Sequence, residues 1–499
     1  MIERRLRNKL LRDRVVSPEV AASFVKSGMT LGTSGETKRG CPSAFFHALA
    51  ERGKKGEVKN LTLCTSSLPD EIHGILADCG ALKRKLGSQG HPALRKCINS
   101  RQVLCDDVRA DMLLYRMRCG VLGKLDLAVV NAIAINEEGF IIPSHTAIDI
   151  SSYIEAAEHV IVEIDCSIPL ALEGMYDHYL PSLYPFTREI PLCKVSQRIG
   201  VPYIPVPQEK IKYIVISNLQ KSGVQAILPD EKSQKLAEHL VKFLKHEIHE
   251  GRLPPNLYPI EMGLGGISGA ILKNLSKYDF RDVEIFSAVV GDAVLDLIDA
   301  GVCTAVTGGG LLLSDDGWQA LCDNIDKYKQ VIILRPLELT DHPELVRRLK
   351  LIALNGAIEA DIYGHINASH VFGTRLVNGV GGLHVFASNA YLSIFALISS
   401  NDSGDISSIV PMVSHVDIPE HCVDVIVTEV GLADLRGLSP VERAENIINN
   451  CAHPDYKPLL REYLRRAEKE VGGHEPHILE EAFLFHQRFK EKKTMKLEK

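Results

Sequence analysis

The chain has 499 residues, 45% of them apolar and 24% charged, with a formal net charge of -6 at neutral pH. That length is too great for one compact core and makes two domains the starting expectation; the charge gives no electrostatic basis for binding nucleic acid, and no apolar run of about 18 residues is present to span a membrane. Twelve cysteines lie scattered from Cys41 to Cys451 with no C-x-x-C pair, so neither a zinc knuckle nor a dithiol redox site is indicated, and reduced, mostly buried thiols in a cytoplasmic protein are expected.

The first fourteen residues are basic but contain Glu3 and Asp13 and lack the serine richness of a transit peptide, so they read as a solvated first helix. Short aliphatic runs then recur with helical stretches between them: Leu125 to Val130, Val160 to Ile164, Tyr213 to Ile216, Val331 to Leu334 and Val423 to Val427. Alternation of this kind predicts α/β domains with mainly parallel sheets, whose strands are covered on both faces and therefore read as continuous apolar runs. A Pro-rich and polar stretch from Pro202 to Pro229 interrupts the series ahead of a charged helix over roughly Glu231 to Glu250. The domain boundary is placed near Ser222, giving units 1–222 and 223–499. On that helix His246-Glu-Ile-His249 has the wrong spacing to set two imidazoles on one helical face, and it reads as surface rather than metal site. Further on, Ser439-Pro-Val-Glu442 starts a closing helix with a capping serine, a first-turn proline and an early glutamate. No internal repeat is visible in the sequence.

Two stretches, Ile358-Glu-Ala-Asp-Ile-Tyr-Gly-His-Ile-Asn367 and Val427-Thr-Glu-Val-Gly-Leu-Ala-Asp-Leu-Arg-Gly437, resemble signatures of the acetyl-CoA hydrolase/transferase family, the class I coenzyme A transferases. Similarity runs nearly end to end, from Gly32-Thr-Ser-Gly35 through Asn378-Gly-Val-Gly-Gly382 to Gly473-His-Glu-Pro-His-Ile-Leu479. The resemblance implies two open α/β domains of the class I CoA-transferase type, which can be alike in structure without matching in sequence. It also implies coenzyme A as co-substrate, small-molecule acyl-CoA and carboxylate as partners, no metal, and a homo-oligomer such as a homodimer. In that family a strand glutamate attacks the acyl-CoA thioester and carries first the acyl group and then CoA, chemistry that only a carboxylate supports. Glycine-rich turns supply backbone amides to the oxyanions that form. By resemblance those turns, and the CoA contacts, fall on Leu264, Gly265, Gly266 and Ile267 and on Asn378, Gly381 and Gly382; read on their own, they are equally tight strand-to-helix turns.

The resemblance places Ala288, in Phe286-Ser-Ala-Val-Val-Gly-Asp292, where the family has its nucleophile. Glu284 is the nearest upstream carboxylate, but four residues along a strand is about 13 Å. Other departures point the same way. Gly381-Gly-Leu-His-Val-Phe-Ala-Ser388 lacks the acid and the cation of the family's turn, Asn401-Asp-Ser-Gly-Asp405 offers carboxylates where lysines meet CoA phosphates, and Ser43 stands for a lysine. By resemblance Asp341 replaces an asparagine that faces the catalytic glutamate, so it is a relocated acid, the N-cap of the helical segment His342 to Arg348, or a neutral change. Glu429 matches the family's second active-site glutamate and is either a general base toward water or a tie between two loops. Two readings follow: an enzyme for CoA transfer or thioester hydrolysis using Glu429 or Asp341, or a silent paralogue that binds a small acid or acyl-CoA or partners an active homologue.

Overall fold

The computed structural model describes residues 2–33, 35, 38–66, 70–146, 148–219, 221–263 and 265–497. Two eight-stranded sheets organise it. In the first, Thr30–Thr33 lies in the middle. Leu61–Cys64, Leu82–Leu86 and Leu104–Asp106 extend to one side, and Leu125–Ile135, Ala157–Asp165 and Ile211–Ser217 to the other, all parallel. The short strand Ile141–Pro143 returns antiparallel to Leu125–Ile135.

The second sheet repeats this plan. Ile260–Met262 is in the middle, Val283–Val290, Cys303–Leu311 and Ile332–Leu334 extend to one side, and Ile352–Gly356, Leu392–Ala396 and Val425–Val427 to the other. An antiparallel edge strand, Leu432–Asp434, closes it. The likeness of the two units, invisible in sequence, is a likeness of strand order. The mainly parallel α/β architecture is thus the observed one, and the five aliphatic runs all fall on strands, because each is covered by helices on both faces.

Between the sheets the helix Glu231–His249 begins where Asp230 accepts the amide of Ser233 at 2.7 Å. Its stripe of Leu236, Leu240, Val241 and Leu244 is fully buried and packs on the helix Gly266–Lys277. The helix Pro440–Asn450 starts with the capping box of Ser439 and Glu442.

The reading of the N-terminus as a solvated helix is corrected. Residues 2–14 form two 3-10 segments, Ile2–Arg4 and Lys9–Arg14, with Leu6 and Leu11 fully buried. Arg5, only 7% exposed, donates to the carbonyls of Ile133, Asp165, Cys166 and Ile168. A guanidinium that collects unpaired carbonyls at strand ends is worth more there than in water, so the basic segment is a strap on the first sheet.

The two units share one continuous apolar core. Chain from the first sequence half also crosses over the second sheet: Ile190, Leu192 and Val195 pack with Phe286, Leu339 and Phe386. The fully buried Arg335 holds this crossing by pairing with Asp177 and donating to the carbonyl of Gln197.

Candidate active site at the switch point of the second sheet

An open parallel sheet leaves its crevice where strand order reverses, at the carboxyl ends of the strands. Here that point lies between Ile260–Met262 and Ile352–Gly356. Beyond Met262 the chain passes through Gly263 and Gly265 into the helix Gly266–Lys277, which has no side-chain cap. Gly265 has φ +128°, a conformation suited to glycine, and a Cβ added at Gly263 or Gly265 would meet nothing within 4 Å. The glycines therefore leave the first helical amides open to an approaching anionic oxygen. Gly266 and Ile267 are half-buried in the first turn, and Leu264 lies outside the described residues.

Register fixes what faces the crevice. Ile260 pairs with Ile285 on one side and with Ile352 on the other. Paired residues of parallel strands share a face and neighbours alternate, so Glu261, Phe286, Ala288, Ala353 and Asn355 line the same face. Ser287 points the other way and donates to the Met262 carbonyl at 2.9 Å. Ala288 is half-buried, and a Cβ on Gly309 of the next strand would come within 2.6 Å of its carbonyl oxygen. Glu284 begins the same strand, about 13 Å back along it. Burial raises its carboxyl against the pull of Lys194. No other residue of Val283–Val290 carries a carboxylate.

Asp341 follows the short helix Leu337–Thr340, and the N-cap position of Pro343–Arg348 belongs to His342, which makes no side-chain cap bond. The capping reading of Asp341 is thereby corrected: the helix starts one residue later, and the aspartate is turned inward. It is 1% exposed; Oδ1 accepts the Thr340 hydroxyl at 2.9 Å and Oδ2 has no hydrogen-bond partner among the described residues. Burial pushes its carboxyl up to about 8, with Asp111 adding to the effect and the Thr340 bond opposing it. A Cβ at Gly382 would overlap Asp341 Oδ2, so a glycine there leaves the carboxylate its place.

Two further residues of this face were not singled out from sequence. Glu261 is 4% exposed with Oε2 unpartnered among the described residues, and burial, then the Asp341 charge, raises its carboxyl well above the usual range. Asn355 is also buried, with Nδ2 unpartnered. A glutamate inside the apolar strand Ile260–Met262, directly before a glycine turn, was the legible signal.

Glu429 sits elsewhere. It lies two residues beyond the strand Val425–Val427, which is four strand spacings from Val283–Val290, on the order of 19 Å. Both its oxygens are engaged by Ser399, Oε2 by the amide at 2.8 Å and Oε1 by the hydroxyl at 2.6 Å. The turn from Gly379 to Gly382 is held by the first domain: Asp107 accepts the Val380 amide at 2.9 Å, and the Ala110 amide donates to the Gly381 carbonyl at 3.0 Å. A Cβ on Gly379 would lie 2.7 Å from the Ser88 backbone. Asn378 is exposed at the start of this turn.

The two signature stretches build scaffold around this crevice. Asp361 Oδ1 accepts the amides of Tyr363, Gly364 and His365, and Asp434 pairs with Arg436, which also reaches the buried Glu247. His365 stands with Glu420 and Glu475 as the one grouping among the described residues whose spacing would admit a metal ion. Burial disfavours its charge, but Asp361, Glu420 and Glu475 outweigh it and raise the imidazole to about 8. The ring lies 2.8 Å from Glu420 and 3.2 Å from Asp361, so the grouping is also an ion-pair cluster when the imidazole is protonated.

Comparison with known proteins agrees with this architecture. Residues 1–216 match the model of the acetyl-CoA hydrolase/transferase N-terminal domain and residues 317–464 that of its C-terminal domain, with Glu261, Ala288 and the first glycine turn in between. The chain is 40% identical over 496 residues to a succinyl-CoA:acetate CoA-transferase of Clostridium kluyveri, covering 99% of this chain and 92% of that one. It is 38% identical over 518 residues to an acetyl-CoA hydrolase of Candida glabrata, covering 100% and 98%. Among solved structures it resembles RipA from Yersinia pestis, with TM-score 0.71, 20% identity and coverage of 93% and 99%. It also resembles a 4-hydroxybutyrate CoA-transferase from Porphyromonas gingivalis, with TM-score 0.65, 20% identity and coverage of 92% and 99%. With both domain models matched in order and relatives of this identity aligned from end to end, the chain belongs to the acetyl-CoA hydrolase/transferase family.

Proposed function

We propose that this protein binds short-chain acyl-CoA as its co-substrate and cleaves the thioester with water, instead of passing CoA through an enzyme-bound glutamyl thioester to a second carboxylic acid. The observation that carries the reading is the chemistry of one sheet face: at the level of the glycine turn, the strand Val283–Val290 presents the methyl group of Ala288, which forms neither anhydride nor thioester. Asp341 is the carboxylate from our sequence reading that supports water activation, being buried and unpartnered at Oδ2. For Glu429 the two bonds from Ser399 support the loop-tying role. Gly265, Gly266 and Ile267 on one side and Asn378, Gly381 and Gly382 on the other are the CoA-contacting residues of this reading. We place the protein in the cytoplasm as a homo-oligomer. The free state of all twelve cysteines supports a reducing compartment, and no helix of the described residues is long and apolar enough to cross a membrane.

The test is incubation of the protein with acetyl-CoA, with and without succinate, followed by borohydride or hydroxylamine trapping and mass mapping. Release of free CoA with no protein-bound adduct is the expected result. An adduct on any carboxylate, or CoA release that requires succinate, overturns the reading in favour of transfer. Binding without turnover overturns it in favour of a silent paralogue.

A further inference from the structure

Glu261 and Asn355, on the strand face that carries Ala288, and Asp341, in the turn between Leu339 and Leu345 that packs with Phe286 and Ala353 of that face, are three buried polar side chains left incompletely bonded among the described residues. Leaving a buried donor or acceptor unpaired costs on the order of 1–3 kcal/mol each, and three together at a topological switch point leave hydrogen-bonding positions that a substrate can take. Their chemistry is complementary. Asn355 offers an N–H, and the two acids sit close enough that the charge of Asp341 works against ionisation of Glu261. With their charges opposed in this way, one of the two stays protonated where the other ionises.

We infer that Glu261 and Asp341 form a carboxylic acid–carboxylate pair that drives attack of water on the acyl-CoA thioester, with the Asn355 amide donating to the carbonyl oxygen. The inference rests on the hydrolytic reading above and deepens it. Water adds its oxygen to the acyl carbon and gives its proton to the ionised member, Asp341. The tetrahedral oxyanion is met by Asn355 Nδ2 and by the open amides after Gly265. As the C–S bond breaks, the protonated member, Glu261, gives its proton to the departing sulfur. One thioester and one water become one carboxylic acid and one thiol, and the pair ends with a single proton, as it began. Ala288 contributes space: its methyl group leaves room for the water where a carboxylate on that strand would stand.

The charged groups that act on Asp341 are Glu261 and Asp111 on the helix Ala110–Arg118; Asp111 is paired with Arg109 and also acts on His342, next along the chain, and on His384 of the helix Leu383–Asn389. Both histidines are held below their ordinary value, mainly by burial. The group that titrates in the neutral to mildly basic range is therefore Asp341, near 8.

Acetyl-CoA cleavage by the full-length protein, its pH dependence and incorporation of heavy oxygen from labelled water test this. The wild type should gain rate about tenfold per pH unit up to about 8 and then level, with the label entering acetate in the first turnover and none retained on the protein. Asp341→Asn should lower the rate at least about 100-fold and flatten the pH profile, and Glu261→Gln should lower the rate of sulfur departure to a similar degree. Folded variants that keep the wild-type rate and profile overturn the pair while leaving hydrolysis standing. A wild-type profile that is flat across this range does the same without any variant. No cleavage by the wild type at any pH overturns both the pair and the reading beneath it.

Discussion

Replacing Asp341 with asparagine should stabilise the protein, and by an amount that grows with pH. An aspartate in an unfolded chain titrates near 3.9, whereas burial holds this one at about 8. Between those values the folded state keeps a proton that the unfolded state has released. Wild-type stability therefore falls as pH rises, at about 1.4 kcal/mol per unit, and the full cost of about 6 kcal/mol is reached once pH is well past 8. Asparagine has the same shape, keeps an oxygen for the Thr340 hydroxyl at 2.9 Å, and has no proton to lose. The advantage of Asp341→Asn over wild type should thus widen by about 2 kcal/mol between pH 6 and 8, which is about 4 °C in unfolding temperature for a unit of this size. Thermal unfolding of both proteins across that range, followed by circular dichroism, measures it. A constant difference, or one that narrows with rising pH, would falsify the assignment of Asp341 as a buried carboxyl without a charge partner.

Other substitutions probe neighbouring parts of the argument. Ala288→Glu places a carboxylate on the strand; we expect a hydroxylamine-sensitive adduct with acetyl-CoA that wild type lacks, and absence of the adduct would mean that the turn from Gly381 to Ser388 also blocks transfer. Gly382→Ala drives a methyl group into Asp341 Oδ2 and to 3.0 Å from Phe386 Cε2, so it should cost about 1–3 kcal/mol of stability and depress turnover; unchanged melting would place the carboxylate elsewhere. Asp177→Ala strips the partner from the fully buried Arg335 and should cost about 3–5 kcal/mol, read as a lowered melting temperature. Glu429→Gln keeps an acceptor for Ser399, so cleavage should stay within about twofold of wild type, whereas a loss of about 100-fold would make this residue the base.

What could be read along the chain was whatever depends on local pattern. Apolar runs such as Leu125 to Val130 declare buried parallel strands because both faces must be apolar, and Ser439 with Glu442 declares a helix start because the bonds close within four residues. The match of Ile358 to Asn367 and of Val427 to Gly437 reaches the family for a related reason. Asp361 gathers three local amides, and Asp434 pairs with Arg436 two residues on, so the scaffold's turns are written in contiguous residues.

The basic N-terminal segment misled because charge density describes a solvated helix only if no distant acceptors exist. Four carbonyls from two other strands and their loops supply them to Arg5. Asp341 misled similarly, since a residue ahead of His342-Pro343 fits a cap by spacing, and only packing turns it toward Gly382. The sequence alone therefore determined the buried parallel strands, the family and the alanine at position 288. Tertiary structure decided which side chains gather at the switch point, because strand register sets Glu261 and Asn355 on one face and the packing of Leu339 and Leu345 against Phe286 and Ala353 brings Asp341 over it, which no local spacing encodes.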